Sequence, residues 1–340
     1  MTAPMTDTIQ RLVVGLADLL SADPSDPGGR VDLFEVRAVL ALICVGLTCG
    51  MVGSLVVGNK LAFFSDAMAH TAFAGVAVAY LGIILVNDIR SGREADPYLW
   101  AVPLVMAGIG AVAAAAIVFV KEQTQLTNDT VIGVFFAFAL GLGGMLTETV
   151  RKRVNFDLES FLYGQVNFLT DADVARLFGM MLATAAVVHW KYNQFVFGMF
   201  NPALARSRGI PIRWNSYLFV ILLAVVVNLS IKAVGVLLIN ALLVVPAAAA
   251  VNVSSNVRRM YWVTLAGGLG AALIGYQLHN RVRIPVGGEL LRFGPSGMVV
   301  VVAVGWFVVS LGLKAVRRRF FGAAAPCSQD HGDGQYIHTH

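Results

Sequence analysis

Residues 61–86 read Leu-Ala-Phe-Phe-Ser-Asp66-Ala-Met-Ala-His70-Thr-Ala-Phe-Ala-Gly75-Val-Ala-Val-Ala-Tyr-Leu-Gly-Ile-Ile-Leu-Val. The stretch is long and apolar enough to cross a bilayer, which takes about 20 residues of helix, yet it holds a carboxylate and an imidazole. Asp66 and His70 stand at i and i+4, so a helix carries both on one face, roughly 5–6 Å apart at Cβ. An ionisable group inside a span is a functional-site hypothesis by default. Two such donors within reach of one divalent cation form a partial ligand pair, suited to manganese, iron(II) or zinc rather than thiolate-seeking copper(I). The spacing fits equally a buried Asp–His pair that ties one helix to another.

Outward from this segment the chain keeps the same character. Of its 340 residues 57% are hydrophobic and 13% charged, against roughly 25% charged in soluble domains. Nine charge-free runs stand out: 38–59, 67–87, 97–120, 130–147, 177–190, 214–231, 233–257, 260–280 and 293–313. The expectation is an all-α integral membrane protein with about nine transmembrane helices. Eight follow if run 177–190 fails, because it spans only when the helix starts near Val174 and Lys191 snorkels. An odd count puts the termini on opposite sides. Arginine and lysine counts do not orient the chain, since Arg206, Arg208 and Arg213 oppose Arg151, Lys152 and Arg153 under simple threading. The Lys314 to Arg319 cluster after the last run is the best single cytoplasmic anchor. A net charge of +5 belongs to membrane flanks, not to nucleic-acid binding.

Three regions follow. Residues 1–36 hold a short amphipathic helix, with Ile9, Leu12, Val13, Leu16, Leu19 and Leu20 at helical spacing, and a Pro/Gly/Asp loop. Residues 37–320 form one transmembrane domain without a visible repeat. Residues 321–340 are small and polar, with His331, His338 and His340, and read as a disordered tail. Cys44, Cys49 and Cys327 show neither disulfide nor zinc spacing.

Further candidates lie along the chain. Asn201-Pro202-Ala-Leu-Ala205-Arg206-Ser-Arg208-Gly209-Ile-Pro211 reads as a complete short helix, with Asn201 as N-cap, Pro202 at the first helical position and Gly209 as the stop. It lies between two spans, as a docking element for a partner or as a plain connector. In Val234 to Pro246, the proline leaves the Leu242 carbonyl without its usual partner. Broken backbone at that depth needs protein or a wet cavity, so Asn240 and Pro246 suggest a kinked pore helix, or a structural kink with an interhelical Asn bond. Glu148 and Glu159 supply oxygen ligands at a mouth, or are simply solvated acids. No Gly-Lys dipeptide occurs, which excludes a Walker A loop, and no His precedes Glu, which excludes an H-E-x-x-H metalloprotease.

Taken together, Leu61 to Ala77 with its Asp-x-x-x-His helix, Asp129 to Gly133, Ser160 to Gly164 and Val234 to Ala250 resemble the permease subunits of ABC importers for zinc, manganese and iron(II). The resemblance covers roughly residues 37–314 and implies a type II ABC importer permease bundle in the cell (inner) membrane. It implies that Asp66 and His70 line the path of the ion, which is cargo and not a permanently bound cofactor. It implies that Asn201 to Gly209 is the coupling helix for a cytoplasmic ATPase dimer, since the chain itself is not an enzyme. An extracytoplasmic metal-binding lipoprotein and a second permease copy or paralogue are the other implied partners, within membrane lipid. Residues 197–214 and the C-terminus would then be cytoplasmic and the N-terminus extracytoplasmic. Asn201 departs from the acidic residue usual there. A proton-coupled secondary transporter would use the same Asp and His as relay groups. An intramembrane acid–base enzyme has no supporting motif, and a structural subunit predicts that neutralising Asp66 costs stability alone.

Overall fold

A computed structural model of the chain describes residues 10–11, 33–87, 101–124, 126–151, 163–164, 166–200, 202–286, 289–292 and 294–321. The expected amphipathic helix over 9–20 lies outside these apart from residues 10–11. The loop 21–30, Asn201, Glu159 and the tail beyond 321 lie outside them entirely.

Nine α-helices occur among the described residues: α1 Leu33–Gly58, α2 Phe64–Asn87, α3 Val102–Gln123, α4 Asn128–Arg151, α5 Asp171–Phe200, α6 Pro202–Ser207, α7 Ile212–Val253, α8 Val257–Arg281 and α9 Pro295–Phe321. Seven of them are long and apolar enough to span a bilayer, all but α6 and α8. The short run at 177–190 is covered by the 30-residue α5, which resolves its length problem.

The 42-residue α7 is two crossings. A straight helix of that length would measure about 63 Å, twice the ~30 Å hydrocarbon core. Its helical dihedrals break at Gly235, at φ 79° and ψ 163°, a conformation open essentially to glycine. The first half runs antiparallel to α3: Arg213 lies 4.0 Å from Glu122, the Tyr217 hydroxyl donates to Glu122 at 3.5 Å, and Asn228 fills the space above Gly110. The second half runs parallel to α9, because Ser296 donates to the Val234 carbonyl at 3.5 Å while Asn252 donates to Ser310 at 3.2 Å and accepts from Lys314. The chain therefore turns back at Gly235. Pro246, where the sequence suggested the kink, stays inside the helix of the second half, buried against Gly267.

Although α8 is too polar to be counted by composition, it crosses beside α1 in the opposite direction. Gly50 of α1 faces Leu265, and Gly46 faces Gly268 and Ala272. A Cβ at Gly50 would come within 2.8 Å of the Leu265 Cα, so glycine sets how closely these helices approach, as small residues do in membranes. With α7 counted twice and α8 included, the described chain makes nine crossings. After α8 the structure adds something the sequence reading did not contain, an antiparallel hairpin of β1 Arg283–Val286 and β2 Glu289–Arg292, with Val286 opposite Glu289.

The crossings sort the ends. Gly58 meets Met199, and Arg37 grips Asp171 at 2.7 and 2.9 Å, so α1 and α5 run parallel. One end gathers α6, the turn between α7 and α8 and the end of α9, and with them Lys60, Lys121, Arg206, Arg208, Arg213, Arg258, Arg259, Lys314 and Arg317. The opposite end holds Arg37, Arg176 and Lys232, each paired with Asp171 or Asp173, together with Arg151 and Arg281 at the ends of α4 and α8 and Arg283 and Arg292 in the hairpin.

Candidate functional site

Asp66 and His70 sit in the first two turns of α2, both half-buried. Their neighbours Phe64, Ala67, Met68 and Ala69 are sealed in the core, so the helix presents a narrow polar stripe from an apolar body. Across from it comes the second half of α7. The Asn240 amide donates to Asp66 Oδ1 at 3.0 Å, a charge-assisted bond that fixes the carboxylate. The other amide atom, Asn240 Oδ1, is buried and has no hydrogen-bond partner among the described residues. A buried orphan acceptor costs about 1–3 kcal/mol, and an amide oxygen is a hard donor.

One turn along, the His70 ring stands edge-on to Phe136 of α4, with centroids 4.7 Å apart and planes at 84°. That contact orients the imidazole without using either nitrogen. Asp66 and His70 thus offer a carboxylate oxygen and an imidazole nitrogen one turn apart on α2, with the Asn240 amide bonded to the carboxylate, donor types that suit manganese and zinc. Among the described residues no three His, Cys, Asp or Glu side chains cluster tightly enough to hold an ion.

Glu148 does not join them. It is exposed near the far end of α4, twelve residues beyond Phe136 and therefore about 18 Å along the helix. Pro246 lies one to two turns past Asn240 on the same half of α7. Asn240 was legible as a polar residue in an apolar run, whereas Phe136 and Gly235 carried no sequence signal. Gly235 is the single glycine of α7, but a lone glycine in an apolar run reads as close packing as readily as a break.

At the basic end, α6 is built as its sequence requires. Ala205 is fully buried, and Arg206 and Arg208 are exposed, the latter over the Phe197 ring at 5.6 Å. Ile210 N–H donates to the Ala205 carbonyl at 3.1 Å and Gly209 N–H to that of Arg206 at 3.0 Å, with Gly209 at φ 71°. That is a Schellman stop. Nearby, a cavity of about 150 Å³ lies between Phe64, Glu122, Asn128, Phe195 and Asn215. Asn128 Oδ1 and Asn215 Nδ2 are buried without partners there. It reaches Phe64 but not Asp66 or His70.

The chain is similar to proteins of known family. The manganese transport system membrane protein MntC of Listeria innocua is 25% identical over 278 residues, which cover 82% of this chain and 90% of that one. The high-affinity zinc uptake system membrane protein ZnuB of Haemophilus influenzae is 28% identical over 288 residues, 82% and 98% of the two chains. Among solved structures, PsaBC from Streptococcus pneumoniae in complex with Fab superposes with a TM-score of 0.64 at 22% identity, covering 92% of this chain and 95% of that chain, a likeness of fold. Residues 32–314, from the start of α1 into α9 and including every candidate from Asp66 to Pro246, match the ABC 3 transport family, and the chain belongs to that family.

Proposed function

We propose that this chain is the permease subunit of an ATP-driven importer of a divalent transition metal ion in the cell (inner) membrane. Manganese and zinc are the ions named for its relatives, and iron(II) shares their ligand chemistry. The observation that carries the reading is the Asp66 carboxylate, held by Asn240 one turn from an imidazole with no hydrogen-bond partner among the described residues, in the wall of an ABC-family membrane bundle. The ion is cargo. Asp66 and His70 replace part of its hydration shell on the way through, and water or the second permease, a copy or a paralogue, fills the remaining coordination places.

The basic end is cytoplasmic by the positive-inside rule, and there α6 receives the ATPase dimer. A lipoprotein delivers the ion at the opposite end. The route from nucleotide to ion runs through α7. Its first half leaves α6 directly, Gly235 joins the two halves, and Asn240 lies five residues beyond that joint. A push on α6 that changes the angle at Gly235 moves the Asn240 amide, and with it the Asp66 carboxylate that it anchors, relative to His70, and so exchanges a holding arrangement for a releasing one. Repeating that exchange with the opposite end open gives alternating access.

The test is radiometal uptake into vesicles holding this chain with its ATPase, for manganese, zinc and iron(II), with and without ATP. ATP-dependent uptake that His70→Ala abolishes, with the complex still assembled, is the expected result. Uptake driven by a proton gradient without ATP would replace this reading with a secondary transporter.

A further inference from the structure

We infer that the cavity of about 150 Å³ at the basic end is a binding site for one small uncharged molecule, with a ring-sized apolar body and a primary amide or like donor–acceptor head. Each helix that walls it does so with one face. From α7 come Asn215, Ser216, Phe219 and Val220, at i, i+1, i+4 and i+5, and from α5 come Gln194 and Gly198, four apart. These are the first turns of α7 and the last turns of α5, the two arms that carry α6, so the cavity lies between them. An engineered cavity of the same volume, walled by Leu, Ile and Phe, takes one benzene. Here the apolar wall is Phe64, Ile117, Phe195 and Phe219, all buried.

Two asparagines select the head. Asn215 is 7% exposed, and its Nδ2 has no hydrogen-bond partner among the described residues. Asn128 turns its own Nδ2 to the Asn59 carbonyl at 3.5 Å, which leaves Oδ1 a buried acceptor without a partner. Buried polar groups are nearly always satisfied, so one donor and one acceptor left over in the wall of one cavity point to a ligand. A primary amide complements both, its carbonyl accepting from Asn215 and its N–H donating to Asn128. Charge is not selected. Lys121 and Glu122 line the cavity together, and Glu122 already meets Arg213 at 4.0 Å and accepts from the Tyr217 hydroxyl at 3.5 Å. An ionic head would leave water without gaining a free counter-charge. On the reading of α6 as the coupling element, an occupant holds its arms apart and slows ATP-driven uptake.

The test is isothermal titration of the purified full chain with benzamide, N,N-dimethylbenzamide and benzoate. Benzamide should bind with a Kd of about 0.1–1 mM, as its size allows. Dimethylbenzamide, which has no N–H for Asn128, and benzoate, which is charged, should each bind about tenfold more weakly or worse. Asn215→Leu and Asn128→Leu should each weaken benzamide about tenfold, and Asn128→Leu should also erase the difference between benzamide and its dimethyl analogue. A melt within a few degrees of wild type shows that each variant is folded. Benzamide that fails to bind, binds no better than its analogues, or binds both variants as it binds wild type overturns the site and leaves the cavity to water or the ligand to the micelle. These titrations need no ATPase, so they stand apart from the transport reading. Uptake by the full complex is then measured with benzamide at its Kd and should fall about twofold; unchanged uptake overturns the effect on coupling while the titrations uphold the site.

Discussion

Replacing Asn240 with alanine separates what this residue does for the fold from what it does for the ion. The bond from its amide to Asp66 is 3.0 Å long, and a hydrogen bond to a charged group is worth about 1.5–3 kcal/mol. The same side chain buries an acceptor without a partner, at a cost of about 1–3 kcal/mol. Alanine removes both, so the two effects largely cancel in stability, and the detergent-solubilised protein should melt within a few degrees of wild type. They do not cancel for the ion. Without the amide the Asp66 carboxylate loses its anchor and the site loses an oxygen donor, so the apparent affinity for the transported metal should fall about 10- to 100-fold. Asn240→Asp should move the other way. It sets two carboxylates about 3 Å apart, whose repulsion at an effective dielectric of 20 is several kcal/mol and is relieved by a bound divalent cation. That variant should hold metal more tightly and turn over more slowly. The assay is initial-rate uptake over a metal titration, read as KM and Vmax, beside a thermal melt with and without metal. Uptake constants within twofold of wild type in folded Asn240→Ala would refute the reasoning, and so would an aspartate variant that behaves like the alanine one.

Three further substitutions probe the frame around that site. Gly164 stands at φ 74°, and a Cβ there would overlap the Val234 carbonyl carbon at the α7 joint; Gly164→Ala should cost at least the ~1–2 kcal/mol of a left-handed residue and lower the melting temperature by several degrees. Gly209→Val removes the left-handed stop of α6, so ATP-driven uptake should drop severalfold while equilibrium metal binding to the chain is unchanged; loss of both together would argue against α6 as a coupling element. Arg37 and Asp171 form a two-bond pair at 20% and 22% side-chain exposure, and a double-mutant cycle with alanine at each should give a coupling of about 1 kcal/mol, discounted for that exposure, with KM for metal unmoved.

The Asp66 and His70 pair was legible because charge inside an apolar run is expensive and so stands out. Asn240 was legible for the same reason at lower contrast. What the sequence could not give was the partnership between them, since residues 66 and 240 are joined only by the way α7 folds back. Glu148 shows the converse. Its chemistry suited an oxygen ligand at a mouth, and it stands exposed near the far end of α4, apart from the pair. Phe136 is one of 20 phenylalanines, and nothing in composition separates the one that meets His70 from the rest.

Charge-free runs gave nine crossings where length and apolarity of the finished helices give seven, and the difference is physical. Apolarity reports what faces lipid, and α8 spends much of its surface on other helices. Its Gly267, Gly268, Ala271, Ala272 and Gly275 are buried, a face chosen for close approach rather than for hydropathy, which lowers the helix average without exposing charge in the core. The α7 joint hides for the opposite reason. Both of its halves are apolar, and Lys232 is the lone charge near the break, where it pairs with Asp173 at 3.3 Å. That lysine split the two runs in the sequence and marks the end of the first crossing in the structure. A reversal within a continuous apolar segment is therefore visible only through the polar group it brings to the surface. Glycine three residues later supplies the backbone conformation that completes it.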